Sequence, residues 1–505
     1  MNWKFWQRKE GVKTQKRWFN VVNSSFLGAA INGLTADMPT TSQSMDWDLK
    51  ASLPILRARS RDLSVNNDYA KKFLQMCCTH IVGANGFTLQ VKSGDWKSGT
   101  FVPDDFANTA IENAFYDWGK RGNCDITGKH SFFDICNLYV KSVAREGEVI
   151  IRKIYGAGKY GFQLQILDAE RLDVQKNLLL DNGSYIKMGV EFDKYGKPLA
   201  YHMRQKHPAD NNYYTEMGGV YERVPAEEIY HHFISDRPEQ SRGLPWMHSV
   251  IRRLHNIGGY EHAAVVAARV GAAKMGFYTS PDGDGLPLAD DKDATGGLIQ
   301  DAEAGAFSVL PAGYDFKTYD PDYPHAMYAD FIKANLRGVA SGLGVAYNTL
   351  SNDLEGVNFS SIRTGVLEER DVWMALQNWM IESFLDDLFS TWLKIALLNR
   401  QVKLPNGSPI PLAKFDKFNT FVWQGRRWQW VDPTKDMEAN IMAINNGLKD
   451  RASVIAEQGR DKDDVFAALA AEQAEIEKMG LIIESPNKYK PDQPMQSGAQ
   501  QNAKP

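Results

Sequence analysis

The 505-residue chain carries 58 basic and 62 acidic side chains, a formal net charge of −4, and is 43% hydrophobic and 11% aromatic. This is the composition of a globular protein with room for about two to four domains. The near balance of charge excludes a tight phosphate clamp, whose affinity grows with every cationic contact, but not a surface past which nucleic acid slides. No run of 18 apolar residues is present, so no membrane-spanning helix is expected. Cys77, Cys78, Cys124 and Cys136 lack metal-ligand spacing and read as reduced thiols of a cytosolic setting.

Residues 1–49 read as an arm in which Trp3, Phe5, Trp6, Trp18 and Phe19 interleave with six basic residues. A solvated tail is the favoured reading; an arm that binds nucleic acid or a partner is the alternative. A signal peptide is not expected, because no apolar segment follows the basic start. From Asp46 to His80 one helix is expected, with Arg57, Arg59 and Arg61 on a solvated face. Further helices are expected over Ile111–Trp118 and Phe132–Arg145. Strands are expected over 147–155, 162–167, near 185–192 and over 199–204, from their apolar/polar alternation. Together these make an α+β region with an antiparallel sheet. His231 and His232 are adjacent, so on a strand they point to opposite faces and read as structural rather than as ligands of one ion.

Val250–Met275 reads as a long helix whose alanines and glycines permit close packing. The acidic turns at 279–297 lack the order of a calcium loop. A strand pair over 305–319 and a helix over Tyr323–Leu343 follow. A polar stretch from Val345 then enters a long helical pattern with apolar residues at Phe359, Ile362, Val366, Trp373, Leu376, Met380, Phe384, Leu388, Trp392 and Ile395. About 38 residues at 1.5 Å each give a spine of about 57 Å. Beyond it, F-V-W-Q-G-R-R-W-Q-W-V-D-P (421–433) is either a strand docked on the core or a site of cation–π contact. Helices over Lys435–Gly447, 450–458 and 462–478 precede a Pro/Gln/Lys-rich end, 485–505, that reads as disordered.

Catalytic signatures are missing: no P-loop, G-x-S-x-G, H-E-x-x-H or C-x-x-C occurs. Glu368, Glu369, Asp371, Glu382, Asp386 and Asp387 cluster on the spine, but adjacent carboxylates diverge on a helix and read as a solvated face. No catalytic residue, metal or cofactor is assigned. A structural or assembly role is expected, with a metal-dependent DNA-processing enzyme as the alternative.

Five segments, at 67–87, 237–246, 260–273, 350–365 and 423–433, together resemble the lambda family of phage portal proteins in order and spacing. The resemblance implies a homo-oligomeric ring, commonly a dodecamer, at one vertex of a virion capsid assembled in the host cytoplasm. Double-stranded DNA would enter and leave through it. Terminase, major capsid and scaffold protein, and head–tail connector proteins would be its partners, with no membrane involved; another capsid-associated adaptor is the alternative to this reading. It also implies a division into an arm (1–49), an α+β wing (50–245), a stem helix (246–275), a small β-containing clip (276–322) and a second stem helix (323–347). A tunnel loop (348–358), the spine with its return to the wing (359–434), a helical crown (435–484) and a tail (485–505) complete it. In the tunnel loop Asp353 and Glu355 would repel phosphates, Asn352 and Asn358 would make neutral contacts, and Gly356 would let the backbone move.

Overall fold

The computed structural model describes residues 27–480 except 32, 34, 98, 182, 213–219, 273–275, 280–290, 293–297, 300–314, 319–326, 356–358, 429–432 and 461. The aromatic arm before residue 27 and the tail from 481 therefore lie outside the described residues, as does most of the stretch between the two stem helices. The first helix, Met45–Asn66, starts where the Ser44 hydroxyl accepts the Trp47 N–H. The single helix expected from 46 to 80 is in fact two. Asn67 is extended (φ −123°) and its side chain accepts the Ala70 N–H, capping a new helix, Asp68–Cys77; a short polar side chain competing for backbone donors is what breaks the run. A π-helical turn, Cys78–Val82, follows and stops at Gly83, whose φ is +80°.

Two antiparallel sheets form the α+β part. Glu148–Tyr155 is the middle strand of three, between Ile229–Phe233 and Phe162–Leu167. The second sheet orders Tyr221–Pro225, Pro198–Arg204, Val190–Phe192, Tyr185–Lys187 and Leu178–Leu179 side by side. Helices Asp105–Trp118 and Phe132–Glu146 complete this part. The second of them has a capping box, Ser131 with Asp134, and ends at left-handed Gly147. All four cysteines are buried and free.

The spine runs Phe359–Met380, a π-helical turn Ile381–Leu385, then Asp386–Leu398. The pattern already carries the reason for the interruption. From Met380 its apolar steps are 384, 388 and 392, each longer than a 3.6-residue turn, and one wider turn keeps the stripe on the core. Phe384, Phe389 and Trp392 are fully buried. Phe384 stacks on Tyr139 at 4.9 Å, and Trp392 meets Phe115 edge-on at 5.0 Å. The segment at 421–433 satisfies both readings of it. Phe421–Gln424 pairs antiparallel with Thr88–Val91, and the guanidiniums of Arg426 and Arg370 lie 5.5 and 5.9 Å from the Trp428 ring.

Two helices, Ile251–Ala272 and Tyr328–Leu343, lie where the stem helices were expected and flank a short antiparallel pair, Gly276–Thr279 with Asp315–Thr318. Tyr260 stacks on Tyr328 at 5.8 Å. Their close approach comes from glycines of the second helix: a Cβ on Gly342 would lie 2.6 Å from the Val250 side chain. Helices Pro433–Asn445, Arg451–Glu457 and Lys462–Met479 close the described chain, and none of the described helices is long and apolar enough to cross a membrane.

One buried ion cluster ties the first helix, the sheets and the 237–246 loop together. Arg57, expected on a solvated face, is instead buried and pairs with Glu148 at 2.7 Å. Arg242 meets the same carboxylate at 2.5 Å, His231 at 3.1 Å, and the Gly243 N–H donates to it at 3.0 Å. Arg242 also donates to the carbonyls of Leu172 and Met188. Burial alone would raise the Glu148 pKa, but Arg242, Arg57 and His231 around it hold it well below the usual carboxylate range. Gly243 packs against Gly147 so closely that a Cβ on it would lie 2.0 Å from the Gly147 carbonyl oxygen. His232 points to the opposite face and sits 3.1 Å from the Tyr139 hydroxyl.

Two predictions follow from these contacts. Arg242→Met leaves a buried carboxylate short of one partner and should lower unfolding free energy by about 3–5 kcal/mol in urea titration; Gly243→Ala should be comparably damaging through backbone displacement. The second concerns acid. Burial lowers the His232 pKa to about 3, with His231 and Lys153 adding to it. Between that value and about 6.5 the unfolded chain binds a proton that the folded chain refuses, so stability is full above about 6.5 and falls as pH drops, by up to about 1.4 kcal/mol per unit. His232→Phe keeps a ring among Tyr139, Tyr230 and Phe384 without a titrating nitrogen. It should make the fall of Tm between pH 6.5 and 4.5 shallower than in the wild type.

Candidate functional site

The polar stretch between the second stem helix and the spine begins where Gly344, left-handed at φ +68°, ends the stem. Residues 348–351, expected as loop, belong instead to a short helix, Tyr347–Ser351, because Leu350 is buried and the Ser351 hydroxyl donates back to the Tyr347 carbonyl. Asn352 then turns the chain with φ +54°, a left-handed conformation that asparagine tolerates better than most residues.

Asp353 is partly buried rather than free. It accepts from the Tyr347 hydroxyl at 2.7 Å and from the Glu355 N–H at 3.0 Å, closing an Asx-type turn. Lys333, on the stem helix, reaches Asp353 at 3.6 Å and Glu355 at 3.3 Å. The Tyr347 hydrogen bond, helped by the Glu355 N–H and Lys333, keeps the Asp353 carboxyl below its ordinary pKa. Glu355 is 84% exposed, so its carboxylate is the charge this turn presents to solvent. Of the five residues singled out from sequence, Asn352, Asp353 and Glu355 lie together on this turn, whereas Gly356 and Asn358 fall outside the described residues.

Sequence reasoning missed the residue that fixes this segment to the spine. Glu369, grouped with a solvated acidic face, is buried and accepts from the Thr349 hydroxyl at 3.1 Å and from Trp373 Nε1 at 3.2 Å. The signal was available: Glu369 lies four residues before Trp373 and so shares its inward face. Trp373 stacks on His80 at 5.2 Å, and His80 Nδ1 accepts from Trp428 Nε1 at 3.2 Å. Burial, then Arg426, Lys72 and Arg370, lower the His80 pKa to about 4, so the imidazole is the neutral acceptor that Trp428 requires. Asp387, expected to be solvated, is 57% exposed and also pairs with Lys153 at 3.0 Å. Glu368 and Asp371 do face solvent.

Among the described residues one group could bring three metal-ligating atoms together: Asp168, Glu170 and His207. The Arg61 guanidinium already bridges its two carboxylates at 2.8 and 2.9 Å. Neither Glu368 nor Asp371 belongs to that group. The turn at 352–355 offers a held backbone and a presented carboxylate.

The profile of the family described as "Phage portal protein, lambda family" matches residues 32–377, a span that includes the sheets, both stem helices, the turn and the first part of the spine. A protein of Halomonas phage phiHAP-1 described as a probable portal protein is 36% identical over 441 residues, covering 86% of this chain and 82% of that one. The portal protein of Escherichia phage N15 is 22% identical and portal protein B of Escherichia phage lambda 21%, each match covering 90% of both chains. Among solved structures, a chain in the virion of a native gene transfer agent particle is similar with a TM-score of 0.42 at 12% identity, covering 81% of this chain and 93% of that one. The extent of the profile match and the identity to the Halomonas phage protein are decisive: the chain belongs to the lambda family of phage portal proteins.

Proposed function

We propose that this chain assembles into a homo-oligomeric ring, a dodecamer, at one capsid vertex, and that double-stranded DNA is packaged and ejected through it. Portal proteins are structural, and the work of translocation is assigned to a terminase docked on the clip at 276–322. Capsid and scaffold protein would meet the wing, and head–tail connector proteins would bind after packaging. The observation that carries this reading is the family match over residues 32–377, which takes in both helices assigned to the stem, the turn and the first part of the spine.

Within that ring the turn at 352–355 is the DNA-facing element. The chain's formal charge of −4 and the outward carboxylate of Glu355 support it, since a duplex must pass without being held. The Lys333 contacts to Asp353 and Glu355 and the Glu369 contact to Thr349 would keep the turn from being dragged along with the polymer. Fixed at stem and spine, it can flex about its own backbone while its base stays in place.

Negative-stain microscopy of the purified protein is expected to show closed rings; a monomer at every protein concentration would sink the proposal. Glu355→Lys should leave rings intact while slowing packaging by about tenfold or more and making it more salt-sensitive, because each subunit adds a cation in reach of phosphate. Asp353→Lys alone is less informative, since it also breaks the bond to Tyr347. Should Glu355→Lys abolish ring assembly instead, the turn is an interface between subunits.

A further inference from the structure

The two stem helices leave between them an open groove of about 530 Å³, lined in part by Val250, Arg252, Arg253, Ile257 and Phe331. Its floor is open because Gly338 has no side chain: Arg253 lies across it, and a Cβ there would sit 1.8 Å from Arg253 Nη1. Arg252 and Arg253 are exposed and, among the described residues, form no ion pair. Phe331 is 51% exposed at the groove edge. Two unpaired guanidiniums beside exposed apolar surface ask for a partner that brings carboxylates and apolar side chains together.

The same chain carries that combination on the spine. Leu367, Glu368, Asp371 and Val372 are consecutive on the solvent side of its helix, with Leu367 45% and Val372 46% exposed. At 100° per residue these four positions fall within about 140° of arc, one acidic and apolar stripe. Glu368 and Asp371 likewise form no ion pair among the described residues. None of these four residues is among those lining the groove of the same copy. Between copies the two surfaces provide different, complementary patches, which is the condition for a heterologous contact that closes into a ring.

Resting on the ring reading above, we propose that the inter-stem groove receives the Leu367–Val372 stripe of a neighbouring copy, with Arg252 and Arg253 paired to its Glu368 and Asp371. This assigns a specific pair of faces to the subunit contact. It predicts that the charges determine whether neighbours join.

The test is a charge-reversal cycle on the full chain, read by light scattering coupled to size exclusion and by negative stain. Arg252→Glu with Arg253→Glu, and separately Glu368→Arg with Asp371→Arg, should each raise the protomer concentration needed for ring assembly by about tenfold or more, since like charges then face each other. All four together should restore assembly to within about threefold of wild type. The substituted side chains are exposed, so each variant should keep the wild-type melting temperature. Rings that form normally with either reversed pair, or a quadruple variant that is no better than its parents, would overturn the pairing while leaving the ring reading intact. So would a reversed arginine pair that assembles normally but no longer retains duplex DNA, which would make the groove a DNA contact. A wild-type chain that never forms rings defeats the ring reading and the pairing with it.

Discussion

Glu148 is the group on which the rest of the α+β part depends. A carboxylate with no solvent exposure is tolerable only when cations and donors surround it, and here they come from three separate places in the chain. Arg57 comes from the first helix, His231 from a neighbouring strand, and Arg242 with the Gly243 N–H from the loop before the stem. Each must be in place for the others to be satisfied, so the cluster fixes where the loop leaves the sheet and hence where the stem helix begins. The contact between Gly147 and Gly243 sets the same junction sterically: both backbones pass at a distance that admits no Cβ.

From that junction the geometry passes outward by packing. The stem helices approach each other through Gly342, and the second ends at Gly344, whose left-handed turn starts the short helix that leads to Asn352. The turn is then fixed from two sides, by Lys333 on the stem and by Glu369 on the spine through Thr349. Trp373, His80 and Trp428 continue from Glu369 towards the α+β part as stacked and hydrogen-bonded rings. A contiguous set of contacts thus joins the proposed DNA-facing turn to the body of the protein. Force on the turn would be borne by buried side chains as well as by the backbone.

The spine shows how a long apolar stripe stays on one core. Its apolar steps are longer than a helical turn from Met380 to Trp392, and the π-helical turn at Ile381–Leu385 absorbs the drift. Phe384, inside that turn, is fully buried between Tyr139 and Tyr230, so the irregularity lies at the centre of the aromatic core.

Much of this was legible in the residues themselves. Apolar/polar alternation marked the strands at 148–155, 162–167 and 198–204 to within a residue or so, although the first halves of the first two are buried on both faces, Ile150 in one core cluster and Ile151 in another. Apolar spacing marked the two helices expected as the stem and the spine helices, and the portal resemblance came from the order of five segments, of which the family profile spans the first four. What the one-dimensional pattern could not reveal was partnership across the chain. Arg57 and Glu369 look like solvated charges, since a pattern records polarity but not whether a distant residue neutralises it. Their partners are Glu148, 91 positions away in the first case, and Thr349 in the second, brought close only when helices and sheets pack. Sequence determined the elements and the family; tertiary structure decided which charges are buried, because only the folded chain supplies the counter-ions and donors that make burial affordable.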